Sequence, residues 1–322
     1  MKDLAIRAGL AAVLVLAALT PAAAQGYPSK QIDLIVPFVA GGTTDTVARL
    51  IAQRMNDNWG QPAVVYNRPG GGSTIGTNIV AKAAPDGHTL LVTTIAFAIN
   101  ATLQKTPYDT LKDFTPITEL ASIPLMLVVH PSVPVNNLKE FIVWTRSQPQ
   151  GVDYASSGPG TSTHLAAEMF KTMTGANLVH VPFKGNAEVL NALLGGHVKV
   201  HFALTASTLQ HVRSGAVRVI AVTTEKRIDS LPDVPTVAEL GYPDFEISSW
   251  QAMFAPAGTP KDIVAKINGE TTKMLATQAV RERISKEGAD PVGSSPEQFD
   301  KRIRGEVEKW SKVVKASGLG PK

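Results

Sequence analysis

The sequence predicts an α/β protein of two domains, joined by one strand that crosses between them and a second that returns. Three observations predict it. Short β-branched runs alternate with helical patterns from residue 32 onward, the rhythm of parallel sheet covered on both faces. A strand opening through glycines and hydroxyls into a helix occurs once in each half, around 41–45 and again around 156–165. Two apolar runs, 124–129 and 250–255, lie where the chain would pass between halves.

The first unit starts at 32–36, whose Ile32, Leu34, Ile35 and Val36 have the composition of a buried strand. Pro37 lacks the N–H that a central ladder needs and so ends it. Gly41-Gly42 lets the backbone turn, and Thr43, Thr44 and Asp45 open a helix through Val47, Ala48, Leu50, Ile51 and Met55. An exposed helix N-terminus after a glycine turn is a ready anion site, because free N–H groups and the helix dipole point at one spot. The same pattern also suits an ordinary turn with no ligand. A second strand at 62–66 leads into the glycine turn 67–74 and a helix over 75–83. Arg68 beside those glycines suits an anion, or a surface contact to a carbonyl or carboxylate. A third strand, 89–94, ends in Thr93 and Thr94.

The crossing at 124–129 precedes a helix at 138–146 and a strand at 152–156. Ser156-Ser157-Gly158-Pro159-Gly160-Thr161-Ser162-Thr163-His164 then opens a helix over 165–173. Thr163 stands where a dinucleotide fingerprint needs glycine, no Lys follows the glycines as in a Walker A loop, and no G-x-S-x-G frame is present. Strands at 179–183, 199–204 and 217–224 alternate with helices at 187–194 and 208–214. A short helix at 237–240 and the returning strand near 250–255 precede three helices, at about 261–277, 278–287 and 296–316.

Lys2 and Arg7, the apolar run 9–19 and Ala22-Ala23-Ala24 have the layout of a cleaved secretory leader over residues 1–25. Export to a bacterial periplasm is expected, with an uncleaved anchor as the rival reading. The chain has no cysteine, which removes thiol nucleophiles, thiolate metal sites and a lipid-anchored N-terminal Cys. A net charge of +4 without basic runs or interleaved aromatics gives nucleic-acid binding no support. His197 and His201 flank an extended segment with no third ligand close by, so no metal is expected. A serine hydrolase could draw on Ser157 or Ser162 with His164 and Asp45. Ser162 and His164, however, are too near in sequence at a helix start to face each other well.

Ligands of open α/β sheets sit beyond the carboxyl ends of strands. On that ground the candidate binding residues are Phe38, Ala40, Gly41, Gly42, Thr43 and Asp45 with Thr93 or Thr94 in one half. In the other they are Ser156, Gly158, Gly160, Thr161, Ser162 and His164, with Lys184 and Thr205. Backbone N–H groups and hydroxyls of the facing turns would grip a carboxylate without a buried Arg. Asp45 would complement the helix dipole, or accept a bond from a ligand amine, hydroxyl or bridging water.

Further segments complete a family pattern. They are Tyr27-Pro28-Ser29-Lys30, Ile35-Val36-Pro37-Phe38 with Ala40-Gly41-Gly42 and Asp45, Asn67-Arg68-Pro69-Gly70, and Ala81-Lys82-Ala83-Ala84-Pro85-Asp86-Gly87. Gly158-Pro159-Gly160-Thr161 with His164-Leu165, Val181-Pro182-Phe183-Lys184-Gly185, Pro235-Thr236 with Glu239, and Phe254-Ala255-Pro256-Ala257-Gly258-Thr259-Pro260 follow in order. In this order the chain resembles the extracytoplasmic solute receptors of the tripartite tricarboxylate transporter system, the Bug (Bordetella uptake gene) family. Phe183 departs from the Tyr common in that family's Val-Pro-Tyr-Lys-Gly motif. The resemblance implies a type II periplasmic binding protein: two α/β lobes, two crossing strands and a ligand cleft between them. With the apolar runs 124–129 and 250–255 as those crossing strands, lobe 1 is expected at about 26–125 plus 248–322 and lobe 2 at 126–247. It further implies a monomeric receptor without cofactor or catalysis, delivering a small organic acid to membrane permease subunits. A receptor that reports to a sensor kinase would have the same sequence features.

Overall fold

The computed structural model describes residues 26–286 and 288–321, so the expected leader lies outside the described residues. β1 (Ile32–Val36) is followed by α1 (Thr43–Trp59), β2 (Ala63–Asn67), a 3-10 turn (Gly71–Ser73), α2 (Thr74–Ala81), β3 (Thr89–Thr94) and α3 (Ala96–Leu103). The middle of the chain holds β4 (Phe114–Val129), α4 (Leu138–Arg146), β5 (Val152–Ser156), α5 (Ser162–Thr174), β6 (Leu178–Pro182) and α6 (Asn186–Leu194). Then come β7 (Val200–Leu204), α7 (Thr205–Arg213), β8 (Arg218–Val222), β9 (Ser248–Pro256), α8 (Lys261–Leu275), α9 (Gln278–Lys286), β10 (Asp290–Pro291) and α10 (Pro296–Ala316).

The strands follow the order β2-β1-β3-β9-β4-β7-β5-β6. β1 pairs in parallel with β2 and β3, and β5 in parallel with β6 and β7. Each parallel trio is the centre of one α/β lobe. The lobes are joined by β9 and β4, both antiparallel to their neighbours. β4 is the longer crossing: from Phe114 to Pro124 it pairs with β9, and from Leu125 to Val129 with β7. The apolar run 124–129 is thus the far half of a continuous 16-residue strand. Its side chains are buried almost throughout, the pattern of a strand covered on both faces.

Helices end where the sequence supplies glycine: Gly60 and Gly175 take left-handed dihedrals after α1 and α5. α10 opens with a capping box between Ser295 and Gln298 and lies against β4, α3 and α5. Its Trp310 is wholly buried, and the Trp310 and Trp250 indoles both donate to Glu306 Oε2, at 2.7 and 3.4 Å. Two local expectations fail. Residues 237–240 form a turn rather than a helix, because the preceding Thr236 bridges back to Val222 and holds the chain beside β8. α3, unanticipated, follows β3 with only Ile95 between them. No helix of the described residues is long and apolar enough to cross a membrane.

Candidate functional site

A cavity of about 360 Å³ lies where the carboxyl ends of β1 and β3 face the turn after β5. One wall is Phe38, Thr94, Ile95 and Ala96, continued by Asn100, Leu103 and Gln104 of α3 and by Gly72. The facing wall is Ser157 and the turn Pro159, Gly160, Thr161 and Ser162, with Ser249 of β9 at the back. Among these lining residues none carries an ionisable side chain. The starts of α3 and α5 both line the space, and neither has a side-chain cap. First-turn N–H groups lack partners one turn back in the helix; in α5 His164 N turns to Thr161 O, and those of Ser162 and Thr163 remain available to a ligand.

The turn after β5 is fixed from behind. Ser156, wholly buried, accepts from Gly158 N at 3.1 Å, and its hydroxyl lies 2.6 Å from His180 Nε2. Thr161 Oγ1 donates to Gly158 O at 2.7 Å, and Gly160 N donates to His164 Nδ1 at 3.0 Å. His164 is 1% exposed and stacks on His180 with ring centroids 3.9 Å apart. Burial first, and the neighbouring His180 second, push its pKa down to about 4. A neutral ring with an acceptor Nδ1 is what the Gly160 amide requires. His164 thus holds the turn from within and does not pair with Ser157 or Ser162; the Ser157 hydroxyl is bonded to Thr163 Oγ1 at 2.9 Å.

The turn after β1 has an equivalent brace. Asp45 is 4% exposed, and its Oδ2 accepts from Gly41 N and Arg49 Nε, both at 2.9 Å, while Oδ1 accepts from Asn67 Nδ2 at 3.0 Å. Burial pushes the carboxyl up, but the bonds from Arg49, Gly41 and Asn67 outweigh it and hold the pKa below the usual carboxylate range. The carboxylate therefore shapes its own loop and is not among the residues that line the cavity. Thr43 Oγ1 accepts from Gln251 Nε2 at 2.9 Å, and Gln251 is the β-partner of Thr94. Ala40, Gly41 and Gly42 lie exposed on the turn that follows Phe38.

α3 supplies what the sequence reading missed. Asn100 Nδ2 donates to Gly72 O at 2.7 Å, and Gln104 Nε2 donates to Gly71 O at 3.1 Å and to Asn100 Oδ1 at 3.0 Å. These carboxamides hold Gly71, Gly72 and Ser73 in consecutive left-handed conformations. A lone Asn100 closing the apolar run Ile95-Ala96-Phe97-Ala98-Ile99 was the available signal. Arg68, near the same turn, donates to Asn67 O at 3.2 Å and lies over the Tyr66 ring.

Of the sequence candidates, Phe38, Thr94, Gly160, Thr161 and Ser162 line the cavity, while Ser156, Gly158 and His164 shape one wall from behind. Thr93 is buried beneath it, its hydroxyl without a partner among the described residues. Ala40, Gly41, Gly42, Thr43 and Asp45 build the turn beside Phe38 without lining the cavity, and two further candidates lie elsewhere. Lys184 is exposed at the start of α6, and its backbone N–H, not its ammonium, is engaged, with Glu188 Oε2. Thr205 donates to Pro124 O and borders a separate, more open cavity of about 1000 Å³. That space is lined by charges of both signs, among them Arg227 and Arg302, already ion-paired with Glu239 and Glu119. It lacks converging glycine turns. No cluster able to hold a metal ion occurs among the described residues.

The family model described as "Tripartite tricarboxylate transporter family receptor" (TctC) matches residues 47–319. Protein BugT of Bordetella pertussis is 38% identical over 301 residues, covering 92% of each chain. The structure of R. palustris Rpa4515 with adipate superposes with a TM-score of 0.78 at 36% identity, over 92% of this chain and 100% of that one. MatC from Rhodopseudomonas palustris with bound malate gives 0.74 at 33% identity, over 89% and 100%. Fold and sequence agree, and the chain belongs to the TctC family of tripartite tricarboxylate transporter receptors, which are solute-binding proteins and not enzymes.

Proposed function

We propose that this receptor captures a small carboxylate-bearing acid in the cavity between Phe38 and Thr161 and delivers it to the permease subunits of a tripartite transporter. One observation carries the ligand class: the cavity is walled by an uncapped helix start, by hydroxyls and by carboxamides, with no ionisable side chain. A helix N-terminus stabilises an anion through its free N–H groups and dipole, and the hydroxyls of Thr94 and Ser162 add donors. The relatives solved with adipate and with malate support the same class.

In this reading lobe 1 comprises 26–125 and 248–322, and lobe 2 comprises 126–247. The change of β4 partner after Pro124 and the start of β9 at Ser248 support those limits. Two crossing strands concentrate the closing motion in a few residues, so the loaded state differs in shape from the empty one. The monomer works in the periplasm after loss of residues 1–25. BugD, a structural neighbour at 36% identity, is itself described as a periplasmic binding protein.

A thermal-shift screen over organic acids and their methyl esters tests the reading. A ligand at 100 times its Kd stabilises by about 2.7 kcal/mol. Free acids should raise the melting temperature and their esters should not. Shifts confined to uncharged compounds would overturn the carboxylate assignment.

A further inference from the structure

We propose that Leu103 sets the length of acid the receptor accepts, with Gly160 as the seat that lets it do so; this rests on the cavity being the ligand site. Leu103 is the last residue of α3, half-buried, and its side chain forms part of the cavity wall. It reaches across to the opposite lobe: a Cβ placed on Gly160 would run into Leu103 Cδ2. Gly160 has a φ of +76° and gives its N–H to His164, so neither its amide nor a side chain serves the ligand. Its contribution is space. The isobutyl group of one lobe rests on bare backbone of the other, and both line the cavity.

The chemistry of the walls separates grip from measure. The Ser162 hydroxyl and the free N–H groups at the α5 start can hold a carboxylate, but they offer nothing that counts methylenes. Leu103 is an apolar stop on the α3 side, between Asn100 and Gln104, whose amide protons are already given to Gly72, Ser73, Gly71 and Asn100 itself. An aliphatic acid gripped at α5 would extend toward this stop. An acid too long for the space would then press Leu103 off Gly160 and hold the lobes apart. Shortening Leu103 to Ala removes three carbons and opens the cavity at that end.

The test is calorimetric titration of the full chain with straight-chain α,ω-dicarboxylates of increasing length, from succinate to azelate. Leu103→Ala should move the tightest-binding acid to one longer by about one or two methylenes. Each added methylene that becomes buried contributes about fourfold in affinity. A merely structural defect would weaken every acid by the same factor and leave their order unchanged, and that result overturns the assignment. Gly160→Ala should weaken all the acids, and adding Leu103→Ala should recover affinity by about tenfold, a coupling expected only of groups in contact. Absence of recovery would mean that backbone strain alone explains Gly160, and would overturn the seat. If the wild-type chain binds no acid in the series, the functional reading fails and this assignment with it. Binding with an unaltered order rejects Leu103 alone.

Discussion

Replacing Asp45 with Asn changes one atom and should disturb both stability and binding. The carboxylate accepts three bonds, from Gly41 N, Arg49 Nε and Asn67 Nδ2. An Asn side chain has one acceptor oxygen. Facing it to Gly41 and Arg49 turns its NH₂ against the NH₂ of Asn67; flipping it sets donor against donor at Gly41. The Arg49 pair contributes little because the Arg49 side chain is 54% exposed. The other two are bonds to a buried charged group, worth about 1.5–3 kcal/mol each, of which one is lost. Asp45→Asn should therefore lower unfolding free energy by about 2 kcal/mol, which urea titration reads as a lower midpoint at unchanged slope. The folded carboxyl titrates below its ordinary value, so its stabilisation is complete above that value and is lost as the pH falls through the folded pKa. The deficit of the variant should thus be constant from about pH 5 to 8 and shrink only in stronger acid. Because Gly41 is anchored only a residue from the uncapped start of α1, ligand affinity should fall as well, by about tenfold, or 1.4 kcal/mol. A stability loss with unchanged affinity would refute the idea that this loop serves the site. Unchanged stability would refute the three-bond account itself.

Thr161→Val and Ser162→Ala should each weaken acid binding by about tenfold, read by calorimetry, with the melting temperature of the empty protein nearly unchanged for Ser162→Ala. Arg302→Met leaves Glu119, 3% exposed and 2.6 Å from Arg302 in the wild type, without its cation. Burial already pushes the Glu119 pKa up to about 7 despite Arg302, so its neutral form stabilises below about 4.5 and that contribution is lost as the pH rises through 7. Without Arg302 the carboxyl must ionise unpaired, and the variant's deficit should grow from pH 5 to pH 9; a deficit independent of pH would contradict this. His201 is buried, its Nδ1 lies 2.9 Å from Ala155 O, and burial pushes its pKa down to about 4. Its stabilising effect is present above about 6.5 and lost as the pH falls toward 4, so His201→Leu should flatten the acid limb of the stability curve by close to one proton.

The glycine turns were legible because their chemistry is local: Pro37, Gly41-Gly42 and Thr43-Thr44-Asp45 end a strand and open a helix whatever surrounds them. The crossing strands were legible as apolar runs, though not the full extent of β4, whose near end carries Thr115, Pro116, Thr118 and Glu119. α3 escaped notice because it has no cap and almost no loop before it, and its apolar residues continue those of β3. The direction of bonds was not legible at all. Asp45 and His164 stand in the right segments, yet each turns its acceptor atoms to a backbone amide of its own loop. Only the packing around them decides that. Thr205 stands apart from the cavity for a related reason: it begins α7 beside the crossing strand, where its hydroxyl donates to Pro124 O.

The seat of β9 between β3 and β4 also governs how the chain can be made. Strands β4 to β8 come from one contiguous stretch and, beyond Pro124, pair only with one another. β3 is different. Its second sheet neighbour is β9, so the segment 89–94 has an unpaired edge until residues 248–256 have been synthesised. That edge, Thr-Leu-Leu-Val-Thr-Thr, is wholly apolar at its centre and carries none of the Lys, Pro or bulge devices that discourage strand-to-strand aggregation. A nascent chain is therefore at its stickiest through the middle of translation, and a product truncated ahead of residue 248 is expected to be insoluble even though the pairings among β4 to β8 beyond Pro124 are complete.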